Sequence, residues 1–306
     1  MVPNNDPQQN LSQAHPLTAS DQPGVIIAAF GKRYDVELAD GRLISCVTRG
    51  KKTDLACGDR VEIKLTSGNE GVVEKMLPRN SLLYRSNEYR KKYLAANVTQ
   101  VVIVLAAVPS FYEDLLNRCL IAAEAAGIRA LILLNKSDLP ETPAARAKLE
   151  QYEALGYKVQ QLSALANADQ LRPLLHGHTS VLVGQSGMGK STLVNTLLPG
   201  LNIRTREVSA VLDSGKHTTT SARLYHLDAN SHLIDSPGLQ EFGLNHLSTD
   251  QLELAFPEFR PLLGKCRFNN CRHLVEPDCA LLNAVASGKI SEIRMQAYHK
   301  LRLELS

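Results

Sequence analysis

The sequence predicts an α/β protein in three parts. Three observations carry that expectation. Short strand-like runs, separated by turns, continue to about Leu77; apolar strands alternate with helical stripes from Val101 onward; and a helical C-terminal stretch holds a knot of cysteines. Strands alternating with helices indicate a mostly parallel sheet covered on both faces.

Residues 1–22 hold Asn, Gln, Ser and Pro with few apolar groups, too little to bury, and are expected as a flexible tail. Strands are expected at Val25–Phe30, Tyr34–Leu38, Leu43–Thr48, Arg60–Leu65 and Gly71–Leu77. Gly31-Lys32, Asp40-Gly41, Cys57-Gly58-Asp59 and Ser67-Gly68-Asn69 supply the turns between them. Five short strands with no helical spacing suit a small β-barrel of the oligonucleotide-binding (OB) type, although an SH3-like or other small barrel fits the same strands. Residues 23–94 are assigned to this barrel and its linker. They carry two basic runs, Arg49-Gly50-Lys51-Lys52 and Arg90-Lys91-Lys92.

The α/β part is expected over residues 95–247. Val101–Val108 and Ile128–Leu134 are continuous apolar runs, as strands buried on both faces require. Leu116, Leu120 and Ala123 line one stripe of a helix from Glu113 to Ala126, which Gly127 stops. A helix over Ala144–Leu155 and strands at Lys158–Leu162, Ser180–Val183, Arg223–Leu227 and His232–Ile234 follow, with a helix over Lys190–Leu198. Residues 248–306 form the helical part, with helices at Asp250–Phe256, Ala280–Ala286 and Ser291–Leu305.

A chain of 306 residues, 44% hydrophobic and 21% charged, is of globular composition and long enough for two or three domains. No apolar run approaches the ~18 residues that span a bilayer, and the start of the chain lacks a signal-peptide pattern. A cytoplasmic protein without a membrane partner is therefore expected. The net charge of +3 is unevenly spread. Residues 23–94 hold 14 Lys/Arg against 9 Asp/Glu, residues 95–256 hold 12 against 15, and residues 257–306 hold 8 against 5. Basic flanks around an acidic middle suggest a polyanion held by the flanks, although excesses this small fit a solvated surface equally well.

The run Gly184-Gln185-Ser186-Gly187-Met188-Gly189-Lys190-Ser191-Thr192 fits the phosphate-binding pattern GxxxxGK[ST], between an apolar strand and a helix. Its glycines let backbone N–H groups converge on phosphate oxygens, Lys190 would reach the β- and γ-phosphates, and Ser191 would ligate Mg²⁺. Asn135, Lys136, Ser137 and Asp138 fit NKxD at the carboxyl end of a strand. A carboxylate there accepts guanine N1–H and the 2-amino group together, which adenine cannot offer. Ser163-Ala164, at the end of the next strand, would support the base edge. Asp235-Ser236-Pro237-Gly238 fits DxxG: Asp235 would hold Mg²⁺ through water and the Gly238 N–H would sense the γ-phosphate. Within Gly215–Thr220, Thr219 is expected to close over that phosphate and complete the magnesium shell. Leu239 stands where a water-orienting Gln often lies, so unassisted hydrolysis should be slow, and His217 is the nearest polar candidate for positioning the water. The order is unusual, because NKxD precedes the phosphate loop.

Cys266, Cys271, His273 and Cys279 fall within 14 residues. Three thiolates and an imidazole close a tetrahedral shell, so one structural Zn²⁺ per chain is expected. Cys46, Cys57 and Cys119 sit in apolar contexts and read as small buried hydrophobes. The other histidines, His176, His178, His226, His232 and His299 among them, show no ligand spacing.

Taken together, NKSD, Ser-Ala, GQSGMGKS, GKHTTT and DSPG, followed by C-x4-C-x-H-x5-C, resemble the bacterial ribosome small-subunit-dependent GTPase A family over about residues 24–306. The resemblance implies an N-terminal OB-fold, a central circularly permuted P-loop GTPase domain and a C-terminal zinc-binding domain. It also implies GTP hydrolysis stimulated by the small (30S) ribosomal subunit late in that subunit's maturation, with 16S rRNA, GTP and GDP as partners of a monomer. The family's switch histidine, proposed as catalytic, falls on His217, and Lys216 stands where Arg is expected. An RNA-binding module with a regulatory or vestigial nucleotide site is the rival reading. DxxG runs directly into the zinc segment, so loss of the γ-phosphate is expected to reorient that flank of an RNA clamp.

Overall fold

The computed structural model describes residues 21–50, 54–87, 90–199, 222–235 and 244–305. Strands β1 (Asp21–Phe30), β2 (Arg33–Leu38), β3 (Leu43–Thr48), β4 (Arg60–Ser67) and β5 (Glu70–Met76) form a closed barrel. They run in the order β1-β2-β3-β5-β4, and β4 pairs back onto β1 from Asp21↔Lys64 to Val25↔Arg60. The inward set alternates along each strand, and Ile26, Tyr34, Val36, Ile44, Cys46, Val61, Ile63 and Val73 fill the interior. A register shift between Ile26 and Ala28 lets β1 serve both β2 and β4. β1 opens at Asp21, two residues inside the segment expected as a tail. Backbone pairing with Ile63 and Lys64 orders Asp21 and Gln22, which apolar burial would not.

The stretch after the barrel is a hairpin, where the sequence suggested a basic linker. β6 (Leu82–Asn87) pairs antiparallel with β7 (Arg90–Ala96). Its apolar end docks on the barrel: Ala96 N donates to Cys57 O at 2.8 Å and Asn97 Nδ2 to Gly58 O at 2.9 Å. Gly58 has φ +91°, and a Cβ there would stand 2.2 Å from Ala96 O, so the close approach needs glycine. Buried Asp59 anchors the joint, taking Arg79 Nε at 2.6 Å and Nη2 at 2.7 Å on its two oxygens.

The α/β layer contains β8 (Gln100–Ala106), α1 (Glu113–Ala125), β9 (Arg129–Asn135), α2 (Thr142–Ala147), α3 (Glu150–Ala154), β10 (Lys158–Gln161), α4 (Arg172–Leu175), β11 (Thr179–Val183), α5 (Lys190–Leu197), β12 (Arg223–His226) and β13 (His232–Asp235). The single helix expected over 144–155 is split, because i→i−3 bonds from Leu149 to Arg146 and from Tyr152 to Leu149 replace α-helical ones at the joint. Strand order is β10-β9-β8-β11-β13-β12, parallel except for β12. From β8 the chain fills the sheet in one direction, and from β11 in the other. The crevice at their carboxyl ends is therefore a topological switch point, where open α/β sheets bind ligands. β12 also pairs with β1 at Arg223 and Ala28, which joins sheet and barrel.

Helices α6 (Thr249–Leu254), α7 (Ala280–Ala286) and α8 (Glu292–Leu305) close the chain. They lie against α1 through Arg118–Glu304 at 2.6 Å, Lys300–Asp114 at 2.6 Å and the buried Arg294, whose Nε meets Glu258 at 2.6 Å and whose Nη1 donates to Asn117 at 2.9 Å. Among the described residues no helix is long and apolar enough to cross a membrane.

Candidate nucleotide site and metal cluster

The glycine loop leaves β11 at Gly184 and enters α5 at Lys190. Gly184, Gly187 and Gly189 have φ of +142°, +80° and +91°, a course that side chains resist. Met188 is buried beneath the loop, Ser186 and Gly187 face solvent, and Ser191 and Thr192 are half-buried on the first turn of α5. Lys190 Nζ lies inside the loop, donating to Gly184 O at 2.6 Å and Gln185 O at 2.7 Å. Burial lowers its pKa against the opposing pull of Asp235. Asp235, at the end of β13, has its pKa raised by burial, with Lys190 lowering it.

Asn135, at the end of β9, ties the out-of-order motifs together. Its Nδ2 donates to Met188 O at 2.9 Å and its Oδ1 accepts from Ala164 N at 2.9 Å. One buried amide thus holds the phosphate loop on one side and the Ser163-Ala164 turn on the other. Lys136 takes φ +59° and reaches across to Val108 O at 2.7 Å. Ser137 N donates to Leu162 O at 3.2 Å, fixing the loop after β9 to the end of β10. Asp138 faces solvent, and the Ser163 hydroxyl holds its carboxyl below the ordinary value. Ser163 and Ala164 are buried under it. His217, Thr219 and Gly238 lie outside the described residues.

Cys266, Cys271, His273 and Cys279 also come together, with ligand atoms all within 4.8 Å of one another. Cys266 Sγ lies 3.8 Å from Cys279 Sγ, and His273 Nδ1 lies 3.5 Å and 3.3 Å from those two sulfurs. A tetrahedral zinc with bonds of about 2.3 Å to sulfur and 2.0–2.1 Å to nitrogen would set those spacings near 3.8 Å and 3.6 Å. The donor set therefore fits a metal. His273 turns Nδ1 inward while its Nε2 meets Glu253 Oε1 at 3.5 Å, so a carboxylate orients the ring from behind. Ala280 N donates to Cys266 Sγ at 3.3 Å, which places the cluster at the start of α7.

The family model described as RsgA GTPase matches residues 76–245, more than half of the chain. The chain belongs to the RsgA GTPase family. Two curated relatives, both called "Small ribosomal subunit biogenesis GTPase RsgA", come from Nitrosospira multiformis and Neisseria meningitidis. The first is 51% identical over 95% of this chain and 93% of its own length, the second 54% identical over 93% of each. Among solved structures, YjeQ from Thermotoga maritima aligns with a TM-score of 0.73 at 30% identity, covering 93% of this chain and 98% of that one. YloQ, described as a circularly permuted GTPase, aligns with a TM-score of 0.68 at 28% identity, covering 97% and 98%. As an RsgA GTPase the chain is a GTP hydrolase, and its fold is a small barrel, a circularly permuted GTPase sheet and a C-terminal Cys/His cluster that could bind zinc.

Three contacts here follow from tertiary placement and not from motif spacing. Gln185 Oε1 accepts from Tyr112 N at 2.8 Å, which couples the phosphate loop to the start of α1. Glu253 stands 20 residues before His273, beyond the reach of ligand-spacing patterns. His226 and His232, read as ordinary, lie Nδ1 to Nδ1 at 2.8 Å because they are directly opposed across β12 and β13. The hairpin register, not residue spacing, brings them together.

Proposed function

We propose that this chain hydrolyses GTP on the small ribosomal subunit late in the subunit's maturation, and that the subunit stimulates turnover. The observation that carries the nucleotide half is the pair of hydrogen bonds from Asn135 to Met188 and Ala164, which joins the base-reading and phosphate-reading loops in one pocket. The names of the relatives support the ribosomal half.

In this reading Asp138 accepts guanine N1–H and the 2-amino group, with Lys136, Ser137, Ser163 and Ala164 shaping the base pocket. ATP leaves the carboxylate unpaired, at a cost of about 1–3 kcal/mol for each unmade bond. The amides from Gly184 to Thr192 cradle the phosphates, and Lys190 moves from loop carbonyls to β- and γ-oxygens as charge builds there. Asp235 and Ser191 offer hard oxygen donors beside the phosphate loop, and burial of the Asp235 carboxylate is a cost that a divalent cation would offset. With Thr219 they would hold Mg²⁺, which neutralises phosphate charge when bound. Gly238 senses the γ-phosphate, and His217 positions the attacking water in place of the absent Gln.

Cys266, Cys271, His273 and Cys279 would hold one structural Zn²⁺, which would cross-link the loop before α7. The units of function are residues 23–94, 95–247 and 248–306, behind a tail at 1–22, and the basic first and third units grip 16S rRNA. The protein works as a monomer in the cytoplasm. GTP turnover measured with and without 30S particles tests the proposal: slow turnover alone and a marked rise with 30S is expected. No turnover in either case would favour the RNA-binding module.

A further inference from the structure

Strand β8 runs through the middle of the nucleotide site. On one side it pairs with β9, which ends at Asn135, and on the other with β11, which opens into the glycine loop. The segment that leaves β8 therefore emerges between the guanine motif and the phosphate loop. Residues 108–112 of that segment match neither motif. Val108, Pro109, Ser110 and Tyr112 face solvent, and Phe111 is buried.

The segment is nevertheless held at three points, each by one of the flanking motifs. Val108 O accepts Lys136 Nζ of the guanine motif at 2.7 Å. Pro109 stands against the phosphate loop, where a Cβ on Gly187 would lie 3.2 Å from its Cγ. Tyr112 N donates to Gln185 Oε1 at 2.8 Å. Tyr112 is the N-cap of α1, so its N–H has no partner within the helix. A Glu or Gln three residues on would reach back to it, but Leu115 stands there. A side chain from a distant loop takes that role instead.

Gln185 has a second tie. Its carbonyl accepts Lys190 Nζ at 2.7 Å. The lysine of the phosphate loop and the lysine of the guanine motif are thus linked through one side chain and five residues of backbone. The bonds of Asn135 to Met188 and Ala164 lie on a separate route.

We infer that residues 108–112 are a strap between the two halves of the nucleotide pocket, and that Gln185 is a positioning residue for guanine nucleotides. By holding Tyr112 N, Gln185 keeps Val108 O where Lys136 can bind it, so the phosphate loop sets the lysine of the guanine motif. The strap's part in binding rests on the nucleotide reading of this pocket, but its contacts do not.

Residue-resolved hydrogen exchange of the full chain, free of nucleotide, reads the strap directly. The Tyr112 amide should be protected in the wild type, and Gln185→Leu should lower that protection about fivefold or more, as expected for one lost hydrogen bond. Gln185→Glu keeps the acceptor and should keep the protection. Lys136→Met touches only the far end of the strap, yet it should also loosen the Tyr112 amide by about fivefold. Unchanged protection in β9 and β11 reports that each variant is folded. An unprotected Tyr112 amide in the wild type, or full protection in either Gln185→Leu or Lys136→Met, overturns the inference.

Calorimetry with GDP reads the consequence. Gln185→Leu should weaken GDP binding about fivefold in the wild-type chain. In a Lys136→Met chain the same substitution should cost less than about twofold, because the side chain that the strap places is gone. An equal loss in both backgrounds overturns the positioning role. A wild-type chain that binds no GDP would remove the nucleotide reading, while the exchange result would still decide whether the strap exists.

Discussion

A Cβ placed on Gly189 would stand 2.3 Å from the side-chain nitrogen of Asn135. The last glycine of the phosphate loop therefore leaves room for the residue that opens the guanine motif. This contact is where the permuted chain brings the two motifs together. The two residues are 54 positions apart, in the reverse of the usual order, yet their geometry is that of neighbours.

Gly189→Ala should abolish tight nucleotide binding. The new methyl must displace the Asn135 amide, losing its bonds to Met188 and Ala164, and the backbone at φ +91° resists any side chain. Two bonds at roughly 1 kcal/mol each and about 1 kcal/mol of strain predict about 100-fold weaker GDP binding by calorimetry. Asn135→Ala, which leaves the loop glycine untouched, should lose about tenfold or more by the same bonds. Wild-type affinity in either variant would contradict the bridging role.

Asp138→Asn should change which base is preferred. The exposed carboxylate, held ionised by Ser163, is expected to accept two donors from guanine. An amide presents one acceptor and one donor, which suits a 2-oxo base such as xanthine. GTP affinity should fall about 10–100-fold, as expected for lost bonds to a charged group, while xanthosine triphosphate gains. Competition between the two nucleotides measures the ratio. An unchanged ratio would place the base elsewhere.

Glu253→Gln should weaken the metal cluster without touching a ligand. Glu253 faces His273 Nε2 at 3.5 Å and also receives the Tyr298 hydroxyl at 2.8 Å. Loss of the carboxylate makes the ring a poorer donor and frees its orientation, with an expected cost of about 10–100-fold in metal affinity. Titration against a chromophoric chelator reads this directly. Cys279→Ala should hold no stoichiometric zinc at all.

Much of the fold was legible because its elements are locally marked. β8 and β9 are unbroken apolar runs, and Gly127 stops α1. The phosphate loop and NKxD could be read from residue order, and the four Cys/His positions from spacing. The hairpin Leu82–Ala96 was not legible, because its polar outer half masks two short apolar ends that gain order only by docking on Gly58. Glu253 was missed for a related reason. It touches a histidine from a distant segment, and only the tertiary register sets that distance.

The β12–β13 turn should carry a pH signature of its own. Asp228 is held to about 2 by the Ser231 hydroxyl first and the Asn230 N–H second, with His176 3.4 Å away. Ser231 Oγ in turn accepts Gly177 N at 2.9 Å, so the turn fastens the loop ahead of β11. A carboxyl whose folded pKa lies below its unfolded value near 3.9 binds its proton more weakly in the folded chain. Its stabilising contribution is therefore complete above about pH 4 and drains away as the pH falls toward 2. In urea unfolding, wild-type and Asp228→Ala midpoints should differ by a constant gap from pH 7 to pH 5, and the gap should narrow at about pH 3. A gap that stays constant into acid would mean that the Asp228 carboxylate contributes nothing through its charge, and that the turn is held by Ser231 and the backbone alone.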